Sequence, residues 1–211
     1  DLRAIGANMD ALCQMVGQDV AVMPVVKANA YGLGAVGVAP TLMEHGARYL
    51  AVATLSEAIE LREAYADYPL FILGHTPDRL LGIGAENNIT QTVFSKHQAE
   101  ILGKAALALG KRAKVHLKVD TGFHRLGIDD VDELYAICNT EGIEVEGIFS
   151  HLALVNAEED EKQFTKLMGI IAALEKRGVS FKYKHITDSI SAVDYPEYRL
   201  NMVRPGALVY G

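Results

Sequence analysis

The 211-residue sequence predicts a (β/α)8 TIM barrel, an α/β fold in which eight parallel strands alternate with helices. Short runs of apolar and β-branched residues recur along the chain, and amphipathic segments at helical spacing lie between most of them. No low-complexity linker interrupts this series. The alternative is an open doubly wound sheet, but its Gly-x-Gly-x-x-Gly turn after the first strand is missing. We therefore expect residues 1–211 to form one barrel domain.

The predicted strands are short apolar runs of the kind found in strands that are buried on both faces. The clearest is the run 20–26, which is apolar throughout and contains four valines. The eight predicted strands are 20–26, 48–53, 69–73, 90–94, 113–119, 145–150, 181–187 and 200–203.

The predicted helices follow from apolar residues that recur at helical spacing. Ser56 and Ser95 are the expected N-caps of helices 55–66 and 96–109, and Gly110 and Gly178 are the expected stops of helices 96–109 and 157–176. The connection 77–84 is a poor helix, and only a short turn or helix fits between 188 and 197. The predicted helices are 2–16, 37–45, 55–66, 96–109, 131–140 and 157–176.

Composition excludes several classes of function. There are 27 acidic and 20 basic residues, a net charge of -7, so nucleic-acid binding is not the expected task. No apolar run is long enough for a membrane span, and no leader is visible. Because the first residue is Asp1, we expect a piece of a longer protein. Cys13 and Cys138 are expected to be reduced thiols of a cytoplasmic protein, with one disulfide as the alternative.

Polar residues follow several predicted strands at their carboxyl ends, where barrel enzymes carry their active sites. Because these ends lie on one face of a barrel, the sequence predicts a pocket there. The residues are Lys27 after the first strand, Lys118 and Asp120 at the end of the fifth, Ser150 and His151 at the sixth, Asp188 and Ser189 at the seventh, and Arg204 at the eighth.

Lys27 is the most informative of these residues. Burial at the end of an apolar strand would disfavour its charged ammonium and make the amine available as a nucleophile toward a carbonyl, and later as a base. The alternative is a lysine that extends from the strand end into solvent. The loops after Ser189 and at Arg204-Pro-Gly-Ala207 can present consecutive backbone N–H groups to a phosphate. Pyridoxal 5'-phosphate would use both the lysine and such a loop.

Four motifs resemble those of the alanine racemase family, in the family's order and over essentially the whole chain. The first two are highly specific, and the third alone would mean little. They are Val25-Val-Lys-Ala-Asn-Ala-Tyr-Gly-Leu-Gly34, Leu117-Lys-Val-Asp-Thr-Gly-Phe-His-Arg-Leu-Gly127, Ser150-His-Leu-Ala153 and Val203-Arg-Pro-Gly-Ala-Leu-Val-Tyr-Gly211.

The resemblance implies a role for each candidate residue. Lys27 would be the Schiff-base lysine of pyridoxal phosphate and one of two bases, and Lys118 would be carbamylated. An alternative for Lys118 is an ion pair with an acid such as Asp120. Arg204, always protonated, would face an unprotonated pyridine nitrogen. The remaining implied cofactor contacts are Tyr31, Ser189, Gly206 and Ala207 at the phosphate, Arg125 on the side of the phenolic oxygen, and His151 near the ring.

The resemblance also implies the activity, racemisation of an amino acid, most simply alanine. In the family the second base is a tyrosine from a C-terminal β domain, delivered across a homodimer interface. Our sequence ends at Gly211, so we expect this chain alone to bind the cofactor and to racemise poorly. Leu33 and Asp188 stand where the family usually has histidine and asparagine, which keeps a serine or broad-specificity racemase open. A non-catalytic single-domain pyridoxal-phosphate-binding protein is the other alternative.

Overall fold

The computed structural model describes residues 1–211 and contains eight strands that alternate with helices. Every predicted strand is confirmed in its place, although most are shorter than predicted. The strands are β1 (Ala21–Val22), β2 (Leu50–Val52), β3 (Leu70–Ile72), β4 (Thr90–Val93), β5 (Ala113–Lys118), β6 (Ile143–Phe149), β7 (Tyr183–His185) and β8 (Met202–Val203).

The six predicted helices are confirmed to within two residues at each end, and four shorter helices are present outside that set, at Lys27–Tyr31, Leu81–Glu86, Ser189–Asp194 and Ala207–Tyr210. Two short 3-10 turns lie at Asp78–Leu80 and Pro196–Tyr198. None of the helices combines the length and the apolar character that crossing a bilayer requires. The helices are α1 (Leu2–Val16), α2 (Lys27–Tyr31), α3 (Ala35–Glu44), α4 (Leu55–Ala64), α5 (Leu81–Glu86), α6 (Lys96–Ala108), α7 (Val131–Cys138), α8 (Ala157–Glu175), α9 (Ser189–Asp194) and α10 (Ala207–Tyr210).

Two local predictions need correction. The first strand is regular only over Ala21–Val22, although the Val25 N–H still donates to the Pro205 carbonyl at 2.8 Å and the Val26 N–H to the Ala51 carbonyl at 2.7 Å. Ser56 is not the N-cap of α4. That position belongs to Thr54, which is extended and accepts the Glu57 N–H, whereas Ser56 already lies inside the helix. Ser95 caps α6 as predicted.

The chain folds into two compact units, and the first comprises residues 1–74 and 187–211. Within it β1 pairs with β8 and β2 pairs with β3, and both pairs are parallel. Met9, Met23, Leu42 and Phe71 are completely buried in this unit. Burial of each such side chain contributes about 1.5–3 kcal/mol.

The second unit comprises residues 75–186. Here β4, β5, β6 and β7 pair in sequence order, and all pairs are parallel. The β5–β6 register shifts between Val115 and His116. In each unit the carboxyl ends of paired parallel strands meet at one edge, which places the polar residues that follow them side by side.

Candidate active site

Lys27 begins an unusual backbone turn in the first unit. The four residues after it, Ala28, Asn29, Ala30 and Tyr31, have φ angles of 51°, 55°, 52° and 55°, so α2 is a left-handed turn. This conformation costs L-residues roughly 1–2 kcal/mol each, and among them only asparagine adopts it readily. A turn of this kind persists only where the surrounding structure holds it.

Hydrogen bonds from three sides hold this left-handed turn. The Ala28 N–H donates to Glu57 Oε1 at 2.7 Å, so the start of the turn is tied to α4. Asn29 Oδ1 accepts the Ala35 N–H at 2.7 Å, and the Asn29 carbonyl accepts the Gly34 N–H at 2.9 Å. The turn is therefore a fixed element that sets where Lys27 and Tyr31 leave the backbone.

The burial expected for Lys27 is wrong. The residues before it are buried, but Lys27 itself is exposed. The buried run ends at Val26, whose N–H still donates to the Ala51 carbonyl at 2.7 Å, and Lys27 is the first residue of the turn that follows. The lysine is accessible at the carboxyl end of β1, as its proposed chemistry requires.

Ser189, Gly206 and Tyr31 form a small polar cradle in the same unit. Ser189 Oγ accepts the Gly206 N–H at 2.8 Å and the Leu208 N–H at 3.4 Å. A Cβ atom built on Gly206 would lie 2.5 Å from the Tyr31 hydroxyl, so only glycine lets the phenol approach this backbone. N–H groups that converge on one oxygen, with a phenol beside them, are an arrangement that holds phosphate oxygens.

Two tyrosines at the cradle keep their protons. Burial raises the pKa of Tyr31, and the carboxylate of Asp188 raises it further. Burial also raises the pKa of Tyr210, whose hydroxyl donates to the Val25 carbonyl at 3.0 Å. The two rings lie 5.4 Å apart. Tyr31 is thus a neutral hydrogen-bond donor at neutral pH.

Asp188 caps α9 beside the cradle. Its Oδ1 accepts from the Ser191 N–H at 3.0 Å and from Ser191 Oγ at 2.8 Å, while its own N–H donates to Ser191 Oγ. The carboxylate that replaces the usual asparagine is therefore engaged by the helix. Arg204, the cationic residue that follows β8, is 4% exposed, and its backbone N–H donates to the Thr187 carbonyl at 3.2 Å.

In the second unit Lys118 ends β5 and is buried. It is 5% exposed, and its Nζ lies 4.6 Å from the centre of the Phe149 ring. Phe149 stacks on His185 with ring centres 4.7 Å apart, and His185 Nε2 lies 2.8 Å from His116 Nδ1. A cation–π contact with a desolvated ring is worth about 2 kcal/mol, so the stacked Phe149 and His185 rings support the buried ammonium of Lys118.

Arg125 and His151 both contact the Phe123 ring in this unit. Arg125 is exposed and its guanidinium lies 4.4 Å from the centre of the Phe123 ring, and the His151 ring lies 5.1 Å from the same ring. Asp120 orders this loop by accepting the Gly122 and His124 N–H groups, each at 3.0 Å. Although burial raises the pKa of Asp120, these bonds outweigh it and lower the pKa below its ordinary value.

Sequence reasoning missed three residues of these arrangements. Glu57 had a visible signal, because it stands three residues after Thr54 in a Thr-x-x-Glu capping pattern. Tyr210 and Phe123 both lie inside motifs that resemble the family, but neither had an assigned role.

These residues fit pyridoxal phosphate. The cradle is the observation that tests this fit. Two N–H groups converge there on Ser189 Oγ, and a Cβ atom at Gly206 would fill the space that the Tyr31 hydroxyl reaches. An accessible lysine begins the same left-handed turn that ends at Tyr31. Fold and site together define a parallel β/α protein with a lysine at the first strand and an anion cradle at the last.

Comparison with known proteins narrows this class to one family. The family model "Alanine racemase, N-terminal domain" matches residues 1–211, and the chain belongs to this family. The alanine racemase of Clostridium tetani is 42% identical and matches 90% of this chain and 51% of that protein. Alanine racemase 2 of Caldanaerobacter subterraneus subsp. tengcongensis is 43% identical and matches 100% of this chain and 56% of that protein.

Solved structures confirm the predicted fold class. The alanine racemase of Clostridium difficile 630 superposes with a TM-score of 0.96 at 36% identity, and covers 99% of this chain and 56% of that chain. That of Streptomyces coelicolor A3(2) has a TM-score of 0.93 at 32% identity, and covers 100% of this chain and 58% of that chain. The chain thus spans a little over half the length of the relatives that it matches.

Proposed function

We propose that this chain is the pyridoxal-phosphate-binding part of an amino-acid racemase that interconverts L- and D-alanine. The observation that carries the proposal is the left-handed turn, which joins the accessible Lys27 to Tyr31. The hydroxyl of Tyr31 lies close to the backbone of Gly206, whose N–H donates to Ser189. The relatives named alanine racemase at 39–43% identity support this substrate.

Each residue of the cradle has a distinct task in this proposal. Ser189 and Tyr31 would donate their hydroxyl protons to phosphate oxygens, and the Ala207 N–H would donate beside them. The Gly206 N–H donates to Ser189 Oγ at 2.8 Å and so would hold that hydroxyl against the phosphate. Lys27 Nζ is the attachment point for the aldehyde carbon. When bound, pyridoxal phosphate supplies a conjugated ring that delocalises negative charge from the substrate Cα.

Lys27 also moves a proton in the proposed reaction. With cofactor and substrate bound, Lys27 Nζ would remove or return the proton of the substrate Cα from one face. A planar carbon must be reached from both faces, so racemisation needs a second base. We propose that this base is a tyrosine of a C-terminal β domain from a partner copy in a homodimer, as the family resemblance implies.

We further propose that residues 1–211 act as one cofactor-binding domain, with Arg204 serving the cofactor that the cradle holds. The match of the family model over the full chain supports this assignment. Arg204 is always protonated, so it would donate to the pyridine nitrogen and keep that nitrogen free of a proton. We also propose a cytoplasmic location, which the free thiols of Cys13 and Cys138 support.

Lys118 is proposed to carry a carbamate. Its ammonium would lose one proton, and the neutral amine would add to CO2 and lose a second, so a cation becomes an anion in the sequence motif that Lys118 shares with Arg125. The 5% exposure of Lys118 supports this, because holding a cation out of water costs free energy. Labelled bicarbonate should give a carbamate signal in carbon-13 NMR that Lys118→Arg lacks.

The test of the proposed function uses the purified chain with pyridoxal phosphate. We expect a visible absorbance band that is lost in Lys27→Ala and kept in Lys104→Ala, an exposed helix lysine that serves as the control. Chiral analysis of alanine and of serine incubated with the protein and cofactor then identifies the substrate. A band of wild-type intensity in Lys27→Ala would contradict the role of Lys27.

A further inference from the structure

Glu57 makes more contacts than a helix cap requires. Its Oε2 accepts the Thr54 N–H at 3.1 Å, which completes the capping box of α4. The same oxygen accepts the Ala53 N–H at 2.7 Å, and Oε1 accepts the Ala28 N–H at 2.7 Å, across 29 positions of sequence. One carboxylate therefore joins the end of β2, the start of α4 and the turn after Lys27.

The bond to Ala28 acts directly on Lys27. The Ala28 N–H and the Lys27 carbonyl belong to one planar peptide group, so fixing this amide fixes the ψ angle of Lys27. The lysine side chain is exposed, and no hydrogen bond or ion pair holds its ammonium. Its direction is therefore set by the backbone, and Glu57 is the side chain that holds that backbone.

We propose that Glu57 is a positioning residue for Lys27, which holds the left-handed turn so that the lysine amine is presented to the cofactor aldehyde. This inference rests on the proposed function in that Lys27 is taken as the attachment point. A carboxylate is required because both oxygens face N–H donors. A glutamine has one acceptor oxygen, and its NH2 group would face either Ala28 or the Ala53–Thr54 pair.

The test compares Glu57→Gln with Thr54→Ala as a matched control. Thr54→Ala removes the other half of the capping box, the Thr54 Oγ1 that accepts the Glu57 N–H at 3.4 Å. It keeps the carboxylate and its bond to Ala28. Both variants weaken the start of α4, but only Glu57→Gln removes one of the two acceptor oxygens that hold the Ala28 and Ala53–Thr54 amides together.

Two measurements separate positioning from a structural role. The first is hydrogen exchange of the Ala28 amide in the cofactor-free chain, followed by NMR. The second is the rate at which pyridoxal phosphate attaches to Lys27, trapped with borohydride and quantified by peptide mass spectrometry. In Glu57→Gln we expect Ala28 to exchange about tenfold faster and Lys27 to be labelled about tenfold more slowly, which corresponds to about 1.4 kcal/mol. In Thr54→Ala we expect both rates within twofold of wild type.

Equal labelling rates in the two variants would overturn the inference. If Glu57→Gln does not fold, the wild-type exchange rate decides, because an Ala28 amide that exchanges like a free peptide is not held by Glu57. If wild-type Lys27 is not labelled at all, the proposed function fails. The Ala28 exchange rate then tests by itself whether Glu57 holds the turn.

Discussion

Replacement of Gly206 by alanine tests the cradle with a single methyl group. The added Cβ would lie 2.5 Å from the Tyr31 hydroxyl oxygen and 3.2 Å from its Cζ, whereas ordinary contact begins at 3.4 Å. The phenol must therefore retreat by about 0.9 Å from the backbone, given the usual contact distances. Tyr31 is 47% exposed, so its ring has room to move.

The expected consequence is weaker cofactor binding in a chain that still folds. A hydrogen bond to a charged group is worth about 1.5–3 kcal/mol, so its loss should weaken pyridoxal phosphate binding by about 10- to 100-fold. Gly206 has a φ of -114° and a ψ of -84°, outside the α region that other residues adopt, so alanine should also cost about 1–3 kcal/mol of backbone strain. The melting temperature should therefore fall, and binding is measured well below it.

The assay is equilibrium titration of pyridoxal phosphate against the purified chain, followed by visible absorbance and checked by thermal unfolding. Gly37→Ala is the matched control, because Gly37 lies in α3 with nothing within 4 Å of an added Cβ. The control should bind as wild type does. In a Tyr31→Phe background the hydroxyl is gone, so Gly206→Ala should weaken pyridoxal phosphate binding much less than it does in wild type. Binding of Gly206→Ala within twofold of wild type, or an equal effect in both backgrounds, would refute the reasoning.

Three further outcomes follow from the same contacts. Gly127→Ala should destabilise the chain by several kcal/mol in denaturant unfolding, because its φ is +123° and the new Cβ would lie 2.6 Å from the Asp120 nitrogen. The pKa of Asp120 is lowered from 3.8, so its carboxylate stabilises the fold above that pH, and this stabilisation is lost as the pH falls below it. The difference in free energy of unfolding between wild type and Asp120→Asn should therefore shrink when unfolding is measured at acid pH. Asp188→Asn should lower the pKa of Tyr31 part of the way toward 10, since burial remains the larger cause, and an ultraviolet titration that shows no change would contradict this.

The first unit carries the lysine, the phenol and the cradle without any long-range sequence signal between them. Tyr31 and Gly206 are 175 positions apart, yet β1 pairs with β8 and so brings the turn after one strand beside the loop after the other. The motifs identified each segment, and strand pairing explains why they meet. The polar residues that follow β1 and those that follow β8 therefore lie side by side within this unit.

Several details escaped prediction because they depend on backbone geometry. The left-handed turn at 28–31 has no propensity signal, since alanine favours right-handed helix and only Asn29 hints otherwise. For the same reason the exposure of Lys27 was missed, because an apolar run that precedes a lysine predicts burial when the strand is assumed to continue. The N-cap of α4 was misplaced by two residues, since Thr54, Ser56 and Glu57 offer overlapping cap patterns that only the φ and ψ angles separate.

The sequence by itself determined the alternation of eight strands with helices, the family and the order of its motifs, because hydrophobic periodicity and short motifs are local properties of the chain. Tertiary structure alone decided which N–H groups converge on Ser189, why Gly206 must lack a side chain and how Glu57 reaches Ala28. These are distances between segments far apart in sequence, and they are fixed only when parallel strands pair and bring their carboxyl ends together.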